Sequence, residues 1–448
     1  MLSANRLDSE AMRLVSELDA LKLTRLHIAL LAACCIAFSF DLAEIAFGNI
    51  LSAVFSAQPY VVSDWQLSLL LSAVYVGAVF GAPAFGWLAD RHGRRLAMCL
   101  AMALLAVVSF GAGFSRGIDN LIGWRIAAGL SLGAYPPLMF AYLTDVLPAR
   151  KRGPLLVTAT AIGYLGPTTF IFFVRALAPE SPLGLEPWRW GFLLAGVGAA
   201  GCALVFWKLP ESPRWLIARG RLDEAAAILG RLKRSAVVET PFRESPREER
   251  DQTISLPEGG LRGLTAFLLT IYLLTPWATV GFTLLSGAVF VEKGMDVRDS
   301  LLYVGISTFG PIIGTLFGGA FVDRFERRNF LIGTAVAMVA AGLMFGASDV
   351  PALLIAAALF FNVVTSLFIP VLVLYSSEAI PTPQRAKVTA WAWMSNRVGS
   401  TLVPLVLLPV LHIAGPLAMF GIVAMTLAIF IVVMVVFGPI GGAGRVVK

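Results

Sequence analysis

Two charged signatures occur twice in this chain, and every matched position lies 233 residues from its counterpart. Gly86 to Arg95 reads GWLADRHGRR and Gly319 to Arg328 reads GAFVDRFERR, while Asp145 to Arg152 reads DVLPARKR and Glu378 to Arg385 reads EAIPTPQR. Asp90 pairs in this way with Asp323, Asp145 with Glu378, Pro148 with Pro381 and Arg152 with Arg385. A duplicated unit of that length commits the chain to two matched halves.

The intervening sequence says what the halves are made of. Hydrophobic residues make up 58% of the chain and charged residues 14%, whereas a soluble domain carries about 25% charge. Leu96 to Gly113, Gly191 to Leu209, Phe330 to Ala347 and Pro416 to Phe437 run almost without charge. About 18 or more such residues cross about 30 Å of hydrocarbon as helix. Barrel strands require alternation, and these stretches do not alternate. The expected fold is therefore an all-α integral membrane protein of twelve transmembrane helices in two six-helix halves. The spans are placed near 26–57, 66–88, 96–115, 119–143, 154–175 and 189–209, then 262–291, 299–322, 329–347, 351–376, 384–411 and 415–438. The domain division that follows is 1–25 as an N-terminal segment, 26–209 and 262–438 as the two bundles, 210–261 as the linker and 439–448 as the tail.

Lys and Arg in short loops are retained on the cytoplasmic side. The loops after spans two, four, eight and ten hold eleven of them and the opposite loops hold five. Both termini are thus expected in the cytoplasm, and the net charge of +7 reads as topology and contact with the lipid bilayer, with nothing to support nucleic-acid binding. The N-terminal segment places Leu14, Leu18 and Leu21 at helical spacing among acids, which suggests a short interfacial helix, and it lacks the pattern of a cleavable signal. The linker, with Glu244, Arg247, Glu248, Glu249 and Arg250, reads as part helix and part disordered. Cys34, Cys35, Cys99 and Cys202 fall inside spans, and His27, His92 and His412 form no ligand spacing. Neither a disulfide framework nor a metal site is expected.

Ionisable residues deep in spans are costly and usually face a pathway. Four qualify: Asp41 and Glu44 in the first span, Arg125 in the fourth and Arg397 in the eleventh. Asp41, Glu44 and Gly48 sit at i, i+3 and i+7, on one helical face. Two acids that close resist ionising together, a property that suits a proton carrier. A permanent structural pair with Arg125 is the alternative. In the eleventh span Trp393, Asn396, Arg397 and Ser400 share a face at i, i+3, i+4 and i+7. A planar guanidinium there accepts a carboxylate in two parallel hydrogen bonds, and Trp393 or Trp391 can pack on an apolar or aromatic body. Pairing of Arg397 with an acid from another helix is the competing reading. Tyr135, Tyr164 and Asn362 complete the candidate substrate residues, with Tyr272, Trp277 and Tyr375 as further candidates for the cavity wall. Gly129 and Gly133, and Gly310, Gly314, Gly318 and Gly319, form small-residue faces for close helix contact.

The duplicated loop motifs resemble those of the major facilitator superfamily over essentially the whole chain. PESPRWL at Pro210 to Leu216 resembles its sugar-porter side and organic-ion relatives, and SNRVGSTLVP at Ser395 to Pro404 its organic-ion branch. That resemblance implies a secondary transporter working by alternating access, with no cofactor beyond a coupling proton and no enzyme activity. It also implies a proton-linked pair of an acid at the position matching Asp41 with an Arg at that matching Arg125; Glu44 is an addition to the sugar-porter pattern and leaves the proton site open between the two acids. The organic-anion members carry an Arg in the setting of Arg397, which implies an anionic substrate. The repeated loop charges, Asp90, Arg91, Arg94, Arg95, Asp145, Arg152, Asp323, Arg324, Glu378 and Arg385, are candidates for a cytoplasmic gate, with topology alone as the simpler reading. The favoured expectation is proton-coupled symport of a small organic carboxylate by a monomer in a bacterial inner membrane. The alternatives are a proton-driven exporter of cationic drugs and a sugar facilitator or symporter. A receptor or enzyme would need a signalling domain or a nucleophile or metal constellation that the sequence does not offer.

Overall fold

The computed structural model describes residues 2–57, 62–178, 180–238, 260–322, 324–381 and 384–439. These residues are nearly all helical, and no β-sheet occurs among them. The first six spans are Arg25–Ser56, Asp64–His92, Arg94–Gly113, Ile118–Val146, Arg152–Leu177 and Pro187–Lys208. The next four are Gly260–Glu292, a pair of helices Val297–Ser307 and Phe309–Val322, Arg327–Ala347 and Pro351–Ala379. A continuous helical stretch, Arg385–Phe437, supplies the last two. Gly415 divides it with φ 81°, a left-handed backbone that glycine alone adopts cheaply, and Pro416 then starts the twelfth span at a position where its missing N–H costs nothing.

Close helix contact follows the small residues. A Cβ on Gly77 would meet the Ile126 carbonyl oxygen at 1.9 Å, and one on Gly129 the Val74 carbonyl oxygen at 2.1 Å. Spans two and four therefore touch backbone to backbone. In the second half, a Cβ on Gly314 would come within 2.6 Å of the Val363 carbonyl oxygen, so spans eight and ten meet in the same manner. The outward face is apolar yet uncovered: Val107, Leu204, Phe317, Val336 and Ile429 are all exposed, as lipid-facing side chains must be.

Contacts between the halves join spans one and seven, two and eleven, and five and eight. The last two pairings are equivalent under exchange of the halves. Among the described residues, hydrogen bonds between the halves run from mid-span, at Thr168 and Thr308, toward the end of the bundle remote from the charged loops. Asn49 Nδ2 donates to the Thr283 carbonyl at 2.6 Å and to Ser286 Oγ at 2.9 Å, while its Oδ1 accepts from the Gly287 N–H at 2.9 Å. Ser68 and Ser72 donate to the carbonyls of Pro404 and Thr401 at 3.1 and 2.8 Å. Thr168 bonds Thr308 at 3.0 Å, and His412 lies 2.8 Å from Asp64.

At the charged end a small second core forms. The N-terminal helix Leu2–Asp19 buries Leu14 and Leu18 against Leu222, Leu229 and Leu232 of the linker helix Leu222–Arg234. This corrects the interfacial-helix expectation for Leu14 and Leu18: the apolar stripe is covered by protein. Asp19 accepts from Arg214 at 2.6 Å and lies 3.7 Å from Arg152, and Glu17 accepts from Lys233 at 2.6 Å. The acidic and basic linker residues Glu244 to Arg250 and the tail from 440 lie outside the described residues.

Candidate functional site

A cavity of about 250 Å³ sits between the halves, near the middle of the spans. Asn49, Tyr75 and Tyr164 come to it from the first half, and Tyr272, Asn362, Trp393, Asn396 and Arg397 from the second. Among the described residues of its wall, Arg397 is the one charged side chain. Its guanidinium lies 5.9 Å from the centre of the Trp393 ring, and it makes no ion pair among the described residues. The predicted helical face of Trp393, Asn396, Arg397 and Ser400 is thus present and turned to the cavity. Asn396 Nδ2 donates to the Tyr272 carbonyl at 3.3 Å, and the Tyr272 ring meets Trp393 edge-on at 5.5 Å, which fixes the plate on which a flat ligand would rest.

Four sequence candidates do not belong to this wall, among them Trp277, which packs against the apolar core. Trp391 is 47% exposed on the outside of the bundle, with Lys387 Nζ 5.3 Å over its ring. Two residues along a helix turn the side chain by about 200°, so Trp391 and Trp393 cannot share a face. Tyr135 is fully buried behind the first span, where its hydroxyl donates to the Cys34 carbonyl at 3.0 Å and its ring packs near Phe38 and Phe206. Tyr375 donates to the Pro439 carbonyl at 3.2 Å, away from the cavity.

The acids of the first span are both fully buried and have different surroundings. Glu44 Oε2 takes a hydrogen bond from Arg125 Nη1 at 2.5 Å, its Oε1 accepts from Ser109 at 2.6 Å, and Arg125 Nη2 also reaches the Glu44 carbonyl at 3.0 Å. The expected partner of Arg125 was Asp41, and the structure puts Glu44 there. Asp41 has no hydrogen-bond partner for either carboxylate oxygen among the described residues. The charges that act on it are those of Glu44 and Arg397. Tyr75, on the second span, is a further ionisable side chain in the cavity wall.

The charged-loop residues hold each half to its own flanking segments. Arg94 lies 3.3 Å from Asp145, which also accepts from Ser212 at 2.7 Å. The Arg95 N–H donates to Glu211 at 3.0 Å, Arg91 lies over Trp87 at 5.5 Å, and the Asp90 carbonyl accepts from Trp215 at 3.0 Å and from Arg219. In the second half Arg327 lies 3.8 Å from Glu378, and Arg385 donates to the Ile380 carbonyl at 3.4 Å. Arg324 is exposed, and Asp323 lies outside the described residues. Each of these contacts stays within one half and its extensions.

Asn49, Tyr75, Thr308 and the run Thr275, Thr279 and Thr283 were not anticipated in the wall. The threonines could have been read from their spacing of four, which stacks them on one helical face. Each donates its proton to a carbonyl one turn back, at 2.7, 3.2 and 2.7 Å, which leaves oxygen lone pairs available.

Twelve spans around one central cavity, sealed at one end by bonds between two matched halves, define a membrane transporter of the major facilitator fold. The chain belongs to the sugar (and other) transporter family, whose profile matches residues 28–440. It is similar to the putative metabolite transport protein YyaJ of Bacillus subtilis, 27% identical with 87% of this chain and 88% of that protein covered. The glucose transport protein of Synechocystis is 30% identical, with 88% and 90% covered. The niacin transporter NiaP of Acinetobacter baylyi is 26% identical, also with 88% and 90% covered. Among solved structures, the xylose transporter XylE from E. coli in a partially occluded inward-open conformation superposes with a TM-score of 0.70 at 18% identity, covering 93% of this chain and 98% of that one.

Proposed function

We propose that the protein takes up a small organic carboxylate with a flat apolar body, in symport with protons, by alternating access between the two six-helix halves. The carrying observation is Arg397, a cation in an otherwise uncharged cavity wall with no ion pair of its own. A guanidinium withdrawn from bulk water requires an anionic or strongly polar partner, and its fork fits a carboxylate. Trp393 would hold the ring of the substrate and Asn396, Asn362 and Tyr164 its edges. The niacin transporter among the relatives carries a pyridine carboxylate, which is this chemistry.

Proton coupling is assigned to Asp41, with Glu44 and Arg125 as a fixed pair behind it. A buried ionised carboxylate without hydrogen bonds is costly. Asp41 therefore fits this conformation when it carries a proton, and Arg397 is the cation that would claim it once the proton leaves. Substrate carboxylate and deprotonated Asp41 compete for one guanidinium, which ties the arrival of a proton on Asp41 to the freeing of Arg397 for cargo.

In this reading that end of the bundle and both termini face the cytoplasm of a bacterial inner-membrane protein, which the excess of Lys and Arg in its loops supports. With the bonds between halves at the opposite end, the conformation described is closed outward. Opening to the outside then requires the bonds around Asn49 to part. The loop network around Asp145 and Arg152 serves in this reading to keep each half rigid as it rocks.

A second reading is a sugar substrate. The five threonines and three asparagines of the wall suit hydroxyl groups, and a glucose transport protein is among the relatives. Equilibrium binding followed by tryptophan fluorescence separates the two. Nicotinate and benzoate are expected to bind the purified protein, and Arg397→Ala to abolish that binding. Glucose or xylose binding that survives Arg397→Ala would transfer the site to the sugar reading.

A further inference from the structure

The geometry points to a second, peripheral binding pocket for a phosphate-bearing anion, the headgroup of an anionic phospholipid, where the sixth span meets the linker helix. A cavity of about 290 Å³ opens there, separate from the central one. Four fixed cations line it, Arg95, Lys208, Arg221 and Arg231, against two carboxylates, Glu211 and Glu224.

Both carboxylates are already engaged. Glu211 Oε1 accepts from the backbone N–H of Arg95 at 3.0 Å and of Ser212 at 2.8 Å. Glu224 accepts from Arg221 at 2.6 and 2.7 Å. Arg95 in turn donates to the Leu209 carbonyl at 3.2 Å. Lys208 and Arg231 make no ion pair among the described residues, and with Arg95, bonded to a carbonyl, they leave three cations from different elements against the single charge of Glu211, an excess of positive charge facing one space.

The neighbourhood points to a lipid as the source of the anion. Leu204 and Trp207, on the last turns of the sixth span, are 70% and 65% exposed, and large apolar side chains so exposed on a span face acyl chains. Tryptophan at such a place marks headgroup depth. Lys208 follows directly, so the pocket lies at the level of the phosphates, and basic pockets at the ends of spans hold acidic headgroups there. Occupancy would tie the sixth span to the helix Leu222–Arg234, whose other face packs on the N-terminal helix.

The test is native mass spectrometry of the full chain in neutral detergent, with phosphatidylglycerol, phosphatidylcholine or inorganic phosphate added separately. The wild type is expected to retain phosphatidylglycerol over phosphatidylcholine. Lys208→Gln with Arg231→Gln is expected to weaken that retention about thirtyfold, from the attraction that each basic residue supplies beside an acidic headgroup. Arg116→Gln with Arg298→Gln, the same loss of charge at the opposite end, is expected to leave it unchanged. Equal retention of both lipids, or equal retention by both double variants, would overturn the site. Protection from thermal unfolding by inorganic phosphate without a preference between the lipids would overturn the lipid as its source.

Discussion

Asn49 is where the outward seal can be weakened most directly. Its amide makes three hydrogen bonds to the seventh span and is 4% exposed. Side-chain hydrogen bonds between membrane helices contribute about 0.6 kcal/mol each on average. Leaving the Gly287 N–H without a partner in a buried site costs a further 1–3 kcal/mol or so. Asn49→Ala should therefore disfavour the outward-closed arrangement by roughly 3–5 kcal/mol, and because about 1.4 kcal/mol is tenfold, the ratio of closed to open at that end should fall by about two to three and a half orders of magnitude. Spin labels on cysteines at Asp119 and Glu292, both exposed at that end, would report the separation by double electron–electron resonance, and the four native cysteines are buried. A longer, newly populated distance is expected in Asn49→Ala. The same change is expected in Gly287→Val, since any Cβ there meets the Asn49 carbonyl oxygen at 2.8 Å. Unchanged distances in both variants, with the protein folded, would refute the assignment of this contact as the seal.

Other expectations follow from the charges. Glu44→Gln leaves Arg125 buried without its counter-charge, a loss of about 3–5 kcal/mol, and should lower the thermal midpoint; Glu44→Gln with Arg125→Met should recover most of it. Asp41→Asn removes no hydrogen bond and should keep the wild-type midpoint, while abolishing proton-driven accumulation and preserving substrate exchange. Arg397→Lys should fail to restore carboxylate binding, because a single ammonium cannot offer two parallel bonds. At the charged end, hydrogen bonds from Lys233 and Arg13 hold the Glu17 carboxyl below its ordinary value. Its contribution to docking the N-terminal helix is therefore present above the ordinary carboxylate range and is lost as pH falls through the lowered value. Protection of the amides of residues 11–19, taken relative to the intrinsic exchange rate at each pH, should fall on acidification in the wild type and already be reduced at neutral pH in Glu17→Gln.

The spans were legible because hydrocarbon imposes length and composition; the expected first span, 26–57, and the observed Arg25–Ser56 differ by one residue at each end. The face of Trp393, Asn396 and Arg397 was legible because helical spacing alone puts those residues together. Which acid meets Arg125 was not, since Asp41 and Glu44 share a face and differ by less than one helical turn, a difference decided by the height at which two helices cross. Nor was the cover on Leu14 and Leu18: their stripe is visible in the sequence, and its partners lie some two hundred residues away. Tyr135 and Tyr164 look alike in sequence, and only the packing of the fourth and fifth spans sends one behind the first span and the other to the cavity.

Coupled entry of a carboxylate with a proton through the Arg397 cavity can be followed by reconstituting the protein in liposomes, enclosing a pH indicator and adding nicotinate, benzoate, glucose or xylose outside. Internal acidification is expected with the carboxylates and is expected to be absent in Arg397→Ala and in Asp41→Asn. Acidification with a sugar alone, or carboxylate entry with no change of internal pH, would contradict that coupled entry.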